Sequence, residues 1–470
     1  MKITNQRRVF LKHAGVVSLG FMGLSRCSNV GDKAKEDVAD IPETVEKIIR
    51  TTDYGPLLPD PEKYLDLPKG FSYKIISRKG DQMDDGFFVP GAPDAMGTFP
   101  LSEDRMVIIR NHELRPEFPE GGPFGAENKL LDKISAENFY DAGKLEKPCL
   151  GGTTTMIYNE ATGMVEKQFL SLAGTIRNCA GGVTPWGSWI TCEEDMTRSD
   201  GVLEKDHGFN FEVPVTEDIA LAEPVPLTDM GRFNHEAVCV DPNTSIVYET
   251  EDRGNSLFYR FIPNTKEKLR DGGKLQALVI KGSPGLDTRN WENRTMNPGQ
   301  EVEVEWIDMD NILSPEDDLR IRGREKGAAI FARGEGIWFG DNELYFACSS
   351  GGPTQLGQIF KYVPSPYEGT DKESEAPGKL TLFAESKSAD EMKMCDNITV
   401  APFGNVIVCE DNGEKNRILG ILPDGRVYQI GLNVHSSSEF AGAVFSPSGK
   451  TLFVNIQGHG HTLAITGPWV

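Results

Sequence analysis

The chain has 470 residues, of which 71 are acidic and 49 basic, giving a formal net charge of −22. Such a charge repels a phosphate backbone or an anionic bilayer, which excludes nucleic acid and acidic membrane surfaces as partners. A hydrophobic fraction of 38%, with 50 glycines and 29 prolines, fits many short strands and turns rather than a helical bundle.

Residues 1–27 read as an export signal. Arg7-Arg8-Val9-Phe10-Leu11-Lys12 is a twin-arginine signature, and the apolar stretch from Ala14 to Leu24 is too short for a membrane anchor. The expectation is passage through the twin-arginine export machinery to the periplasm or cell surface, with no transmembrane span in the mature protein. Leu24-Ser25-Arg26-Cys27 is similar to a lipoprotein cleavage box, except that Arg26 stands where a small residue belongs. Lipid anchoring through Cys27 therefore stays open. Residues 28–60 form a polar linker with weak helical character near Pro42 to Arg50.

From about Leu65 the pattern turns to strands, over 71–77, 105–113 and 153–159. One grammar then recurs at 178–195, 235–252, 334–352, 396–411 and 439–457. Each copy opens on a metal-capable residue: Cys179, Glu236, Glu335, Asp396 or Glu439. A short apolar strand, a turn of Pro, Gly, Asp or Asn, and a second strand follow. Three copies end on paired acids: Glu193-Glu194, Glu251-Asp252 and Glu410-Asp411. Repeats of two or more strands predict an all-β propeller, in which the inner strands begin around a common channel. Carboxylates at those entrances suit calcium, and a thiolate among them suits iron. Any single one of these acids reads equally well as a solvated turn residue. Five at equivalent positions need a common cause, whether a shared site or shared ancestry of the repeats.

Long polar stretches at 114–150, 196–230, 264–325 and 365–390 interrupt the repeats. They are expected to collect as insertions over one face, leaving 61–470 as one propeller domain. The last strands are expected to close the ring against an early one.

Setting Cys27 aside, an odd number of cysteines remains. Cys192, Cys239, Cys348 and Cys409 sit in apolar strands, where a free thiol behaves as a small buried hydrophobe. Cys179, between Asn178 and Ala180-Gly181-Gly182, is the thiol with a functional reading. Arg232, Arg253 and Arg333 neighbour the acids. The first two read as internal ion pairs as readily as anion contacts, and Arg333, among glycines, reads as a phosphate contact. Asn111-His112-Glu113 echoes Asn234-His235-Glu236, with the histidines expected to orient ligating glutamates. No nucleophile elbow, Walker loop or HExxH is present, so serine-triad and nucleotide-binding readings have no motif behind them.

The blocks NCAGGVTPWGSWITCEED, GRFNHEA, YETEDRG, ARGEG, CDNITVAPFGNVIVCED and EFAGAVFSPSGKTLFVNIQG resemble those of the PhoX-type alkaline phosphatases. The resemblance runs from about residue 105 to the C-terminus. It implies a six-bladed propeller whose channel holds two irons and three calciums bridged by an oxo group. It implies that Cys179 binds iron and that Arg333 and Glu335 contact phosphate and metal. Glu193, Glu194, Glu236 and Asp396 fall at further ligand positions. The implied activity is hydrolysis of small phosphate monoesters by a monomeric exported enzyme. Cys348-Ser349-Ser350 stands where threonine-type residues are expected, and Ala443-Val444 replaces a proline-cysteine pair. A calcium-dependent propeller acting on a phosphodiester or lactone, and a non-catalytic ligand-binding propeller, are the alternatives.

Overall fold

A computed structural model describes residues 53–469. The signal segment, most of the linker and the helical expectation near Pro42 lie outside these residues.

Strands dominate, as the composition predicts. Two short ones, β1 (Leu57–Leu58) and β2 (Leu65–Pro68), precede β3 (Ser72–Arg78). The next four, β4 (Pro93–Pro100), β5 (Arg105–His112), β6 (Gly151–Asn159) and β7 (Met164–Thr175), form one antiparallel sheet. A three-stranded sheet contains β8 (Asn178–Val183), β9 (Ser188–Glu193) and β10 (Asn210–Pro214). Then come β11 (His235–Val240), β12 (Val247–Glu251), β13 (Phe258–Pro263), β14 (Gly273–Ile280) and β15 (Glu301–Asp308). A single described α-helix, α1 (Leu319–Glu325), leads to β16 (Gly334–Phe339), β17 (Leu344–Cys348), β18 (Gln358–Val363) and β19 (Lys379–Glu385). The chain ends with β20 (Cys395–Val400), β21 (Val406–Glu410), β22 (Arg417–Ile421), β23 (Val427–Asn433), β24 (Phe440–Phe445), β25 (Thr451–Ile456) and β26 (His461–Thr466).

The arrangement is all-β and propeller-like. Six first strands, β4, β8, β11, β16, β20 and β24, each pack against the next, and β24 packs against β4. Each pairs antiparallel with the strand that follows it. Among the described residues the hydrogen-bonded sheets number five, however, not the six separate ones expected of six blades. The reason is β15, which pairs with both β14 and β19 and fuses two strand groups into one sheet of nine. Strands also correct the reading of three of the stretches as plain insertion: β10 lies within 196–230, β14 and β15 within 264–325, and β19 within 365–390. Closure follows the expectation: β26, near the C-terminus, pairs with β3. β2 pairs with β23 in the neighbouring sheet.

The core lies between the sheets. Trp189 is 1% exposed and packs over Gly97 and Gly181. A Cβ at Gly97 would stand 2.6 Å from the indole, so glycine there is what lets β4 and β8 sandwich one large ring from β9. Cys192, Cys239, Cys348 and Cys409 are buried in strands, as read from the sequence.

Candidate metal centre

The six first strands deliver one side chain each to a central cavity of about 110 Å³: Asp94, Cys179, Glu236, Glu335, Asp396 and Glu439. Each stands at or next to the start of its strand. A second tier comes from the residue just past each second strand: Glu113, Glu194, Asp252, Ser349, Asp411 and Gln457. The remaining lining residues are Arg177, Arg333 and Met394, each two positions before a first-tier residue.

A shared backbone device sets these tiers. Ala92, Arg177, Arg333 and Met394 have φ of +43°, +48°, +53° and +55°, a left-handed conformation that disfavours a side chain. The carbonyl of each accepts a hydrogen bond from a second-tier amide: Glu113 to Ala92 and Glu194 to Arg177 at 2.9 Å, Ser349 to Arg333 at 3.1 Å, Asp411 to Met394 at 3.0 Å. The kink brings the end of the second strand beside the entrance of the first, so both tiers face one space. Strained non-glycine residues repeated at equivalent entrances mark a site rather than an accident.

Strand alternation decides which of the paired acids enters. Neighbouring side chains on an extended chain point to opposite sides. Glu194, Asp252 and Asp411 therefore line the cavity, while Glu193, Glu251 and Glu410 turn back into the sheets. Glu193, read from the sequence as a ligand, is not in the cavity. Its Oε1 lies 2.6 Å from His207 Nδ1 and accepts from the Ile176 amide, and Oε2 accepts from Gly208 and Phe209. Glu410 is likewise bound to Arg417.

The other predicted residues converge. Cys179 Sγ lies 3.2 Å from Glu236 Oε1 and 3.8 Å from Asp94 Oδ2. Ligand atoms of Asp94, Glu113 and Cys179, of Cys179, Glu194 and Glu236, and of Glu236, Glu335 and Asp396 lie within 4.8 Å of one another in each group. Two of these groups share Cys179 and two share Glu236, which strings the groups across the cavity. Arg333 grips Asp252 with Nε to Oδ1 at 2.7 Å and Nη2 to Oδ2 at 2.9 Å, and reaches Glu335 at 3.1 Å. Ser349 donates to Glu335 Oε1 at 2.6 Å. Arg177 bonds Glu113 at 2.6 Å and also the Glu194 carboxylate.

Asp94, Arg177 and Gln457 escaped the sequence reading. Two prolines in Pro93–Pro100 disguise β4 as a loop, so Asp94 has no visible strand to open. Its signal is the pattern itself: an acid before Ala95, with a second strand ending in Glu113. The Asn-His-Glu triplets are not equivalent, since Glu113 belongs to the second tier and Glu236 to the first. His112 bonds Gly91 O and Thr154, and His235 faces Glu249 at 3.3 Å, so neither orients a lining glutamate. Arg232 is buried and donates to the carbonyls of His207 and Met196, not to the cavity.

The electrostatics call for cations. Nine carboxylates line the cavity against two arginines. Burial, then repulsion from neighbouring acids, pushes Asp94, Glu236 and Glu335 well above the ordinary carboxylate range. Asp396 and Glu439 are raised in the same way. Burial lifts Glu194 to about 7 despite Arg177 beside it, and drives the Cys179 thiol well above its usual value. Acids gathered this way in a low-dielectric space are stable as anions only around bound positive charge. Hard oxygen donors beside one thiol fit a mixed set of metal ions.

Fold and cavity together define a propeller-like protein with a candidate metal centre at the meeting of its first strands. The family described as alkaline phosphatase PhoX matches residues 52–460, and the chain belongs to that family of phosphate monoester hydrolases. Among solved structures, the chain is similar to Pseudomonas fluorescens PhoX in complex with vanadate, a transition-state analogue. The TM-score is 0.60 at 18% identity, over 86% of this chain and 96% of that one. A gluconolactonase from Xanthomonas campestris aligns at 13% identity and a TM-score of 0.37, over 89% of this chain and 99% of that one. A search of curated proteins finds no match to the chain.

Proposed function

We propose that the chain is an exported alkaline phosphatase whose central cavity binds two irons and three calciums with a bridging oxo group. The observation carrying this reading is the two-tiered ring: six first-strand entrances and six second-strand ends, nearly all metal donors, facing one cavity. The same sixfold repetition supports six blades, with the nine-stranded sheet counted as two joined by β15. The long stretches around them would gather over the cavity mouth in one domain from 61 to 470.

In this reading Cys179 holds iron, with Asp94, Glu113, Glu194 and Glu236 completing its surroundings. Glu236, Glu335 and Asp396 hold the next ion along the cavity. When bound, such ions act as Lewis acids that polarise a phosphoryl group and offset its charge. The chain's own part is to hold and orient. Asp252 fixes the Arg333 guanidinium edge-on, and only Nε and Nη2 are used on that acid and Glu335. Nη1 is then the donor left for a phosphoryl oxygen, and a guanidinium preorganised there favours charge on the transferring group. Ser349 and Arg333 together set the direction of Glu335.

Export by the twin-arginine route rests on Arg7-Arg8 and the apolar stretch after them. Among the described residues no helix is long and apolar enough to cross a membrane. The test is elemental analysis of protein from an export-competent host, together with hydrolysis of p-nitrophenyl phosphate. Iron and calcium together with turnover support the reading. Folded protein that binds calcium alone and leaves the ester intact would overturn it.

A further inference from the structure

A second buried cluster lies apart from the cavity. Asp141, Cys149 and His207 are all 0% exposed, and their ligand atoms lie within 4.8 Å of one another. They come from the two polar stretches that follow β5 and β9.

Glu193 sets the histidine. Three backbone amides donate to its carboxylate, which locks it as the acceptor against His207 Nδ1 at 2.6 Å. That fixes a proton on Nδ1 and turns Nε2 toward the other two residues. Nε2 stands 3.6 Å from Asp141 Oδ2 and 3.8 Å from Cys149 Sγ. A charged N–H···O bond would close to about 2.7–2.9 Å, and the Asp141 contact does not. Ligand atoms on a tetrahedral ion with bonds of about 2.0–2.3 Å stand roughly 3.3–3.7 Å apart, close to what is seen. Asp141 is also prepared for the task. A carboxylate has about four lone-pair positions. Two on Oδ2 are taken by the amides of Glu204 and Lys205, at 2.7 and 2.8 Å, and one on Oδ1 by that of Gly143 at 2.8 Å, which locks the group in place and leaves the remaining position on Oδ1.

We propose that Asp141, Cys149 and His207 bind one tetrahedral transition-metal ion of the zinc class, with Glu193 orienting His207. Mixed nitrogen, sulfur and oxygen donors suit such a borderline ion. Binding places the Cys149 thiolate and the His207 Nε2 lone pair on the metal and releases the thiol proton, and any proton on Nε2, to water. The ion would fasten the segment around Cys149 and the loop around His207 to the end of β9. The next residue there is Glu194, so the second ion would brace the central ring without belonging to it.

The experiment compares the full-length protein, produced with zinc supplied, with Cys149→Ser and Cys179→Ser. Elemental analysis after a chelator wash should show one zinc equivalent fewer in Cys149→Ser, with iron and calcium unchanged. In cobalt-loaded samples the thiolate-to-cobalt absorption band should survive Cys179→Ser and shrink in Cys149→Ser. Equal zinc in the parent and in folded Cys149→Ser overturns the proposal. Should that variant fail to fold, crystals of the parent protein decide. An anomalous peak at the zinc edge between Cys149 and His207 supports the site, and its absence there rejects it.

Discussion

Arg333 and Asp252 meet as a planar fork: Nε to Oδ1 at 2.7 Å and Nη2 to Oδ2 at 2.9 Å. Arg333 directly precedes β16 and Asp252 directly follows β12, so the pair ties two neighbouring strand groups at the cavity wall. Two parallel charge-assisted bonds fix the guanidinium plane, which a lysine ammonium cannot reproduce. Arg333→Lys is therefore expected to lower kcat by about 10²-fold, some 2–4 kcal/mol in barrier, while metal content stays unchanged. Steady-state kinetics with elemental analysis on the same sample checks this. A variant with parental kcat removes Arg333 from the reaction.

Cys179 is the one thiol among the lining residues. Replacing it with serine keeps the volume and removes the soft donor. Cys179→Ser should lose iron and phosphatase activity while keeping a parental circular-dichroism spectrum and its calcium. Retained iron in the folded variant would show that oxygen donors alone hold it.

The pair Glu193-Glu194 separates two roles along one strand. Glu194→Gln should weaken metal binding and activity with little effect on folding. Glu193→Gln leaves His207 and three amides without their acceptor charge in a dry interior, at a cost of about 3–5 kcal/mol. Calorimetry should show a lowered Tm for Glu193→Gln and a near-parental one for metal-free Glu194→Gln. The reverse order would mean that the facing of the two acids is wrong.

Metal retention should depend on pH in one direction. Burial raises the Glu194 carboxyl to about 7, and the neighbouring cavity acids are raised as well. Ions need these groups ionised, so protons displace them as pH falls through about 7 and below. In the metal-free protein the same raised values mean that ionisation costs stability. Its Tm should fall as pH rises from the unfolded carboxylate range, near 4.5, toward 7. Dialysis at pH 5 and pH 8 followed by elemental analysis reads the first effect, and calorimetry of the stripped protein reads the second. Metal content independent of pH would contradict the first, and a stripped-protein Tm that does not fall over that range would contradict the second.

Sequence alone determined the repeating unit and most of its chemistry. The period of turn residues and apolar runs reads directly as paired strands, because strand and turn propensities are local. Cys179, Glu236, Glu335, Asp396 and Glu439 stood out because each opens such a unit, and all five reach the cavity. Tertiary structure decided what depends on facing and on distance along the chain. Whether Glu193 or Glu194 enters turns on where β9 ends, a shift of one residue that reverses the side of every side chain. Asp94 became visible only when β4, with its two prolines, packed between β24 and β8 to close the ring. The joining of two strand groups through β15, and the meeting of Cys149 with His207, unite residues far apart in sequence. No local propensity encodes such meetings, because they follow from how whole sheets pack.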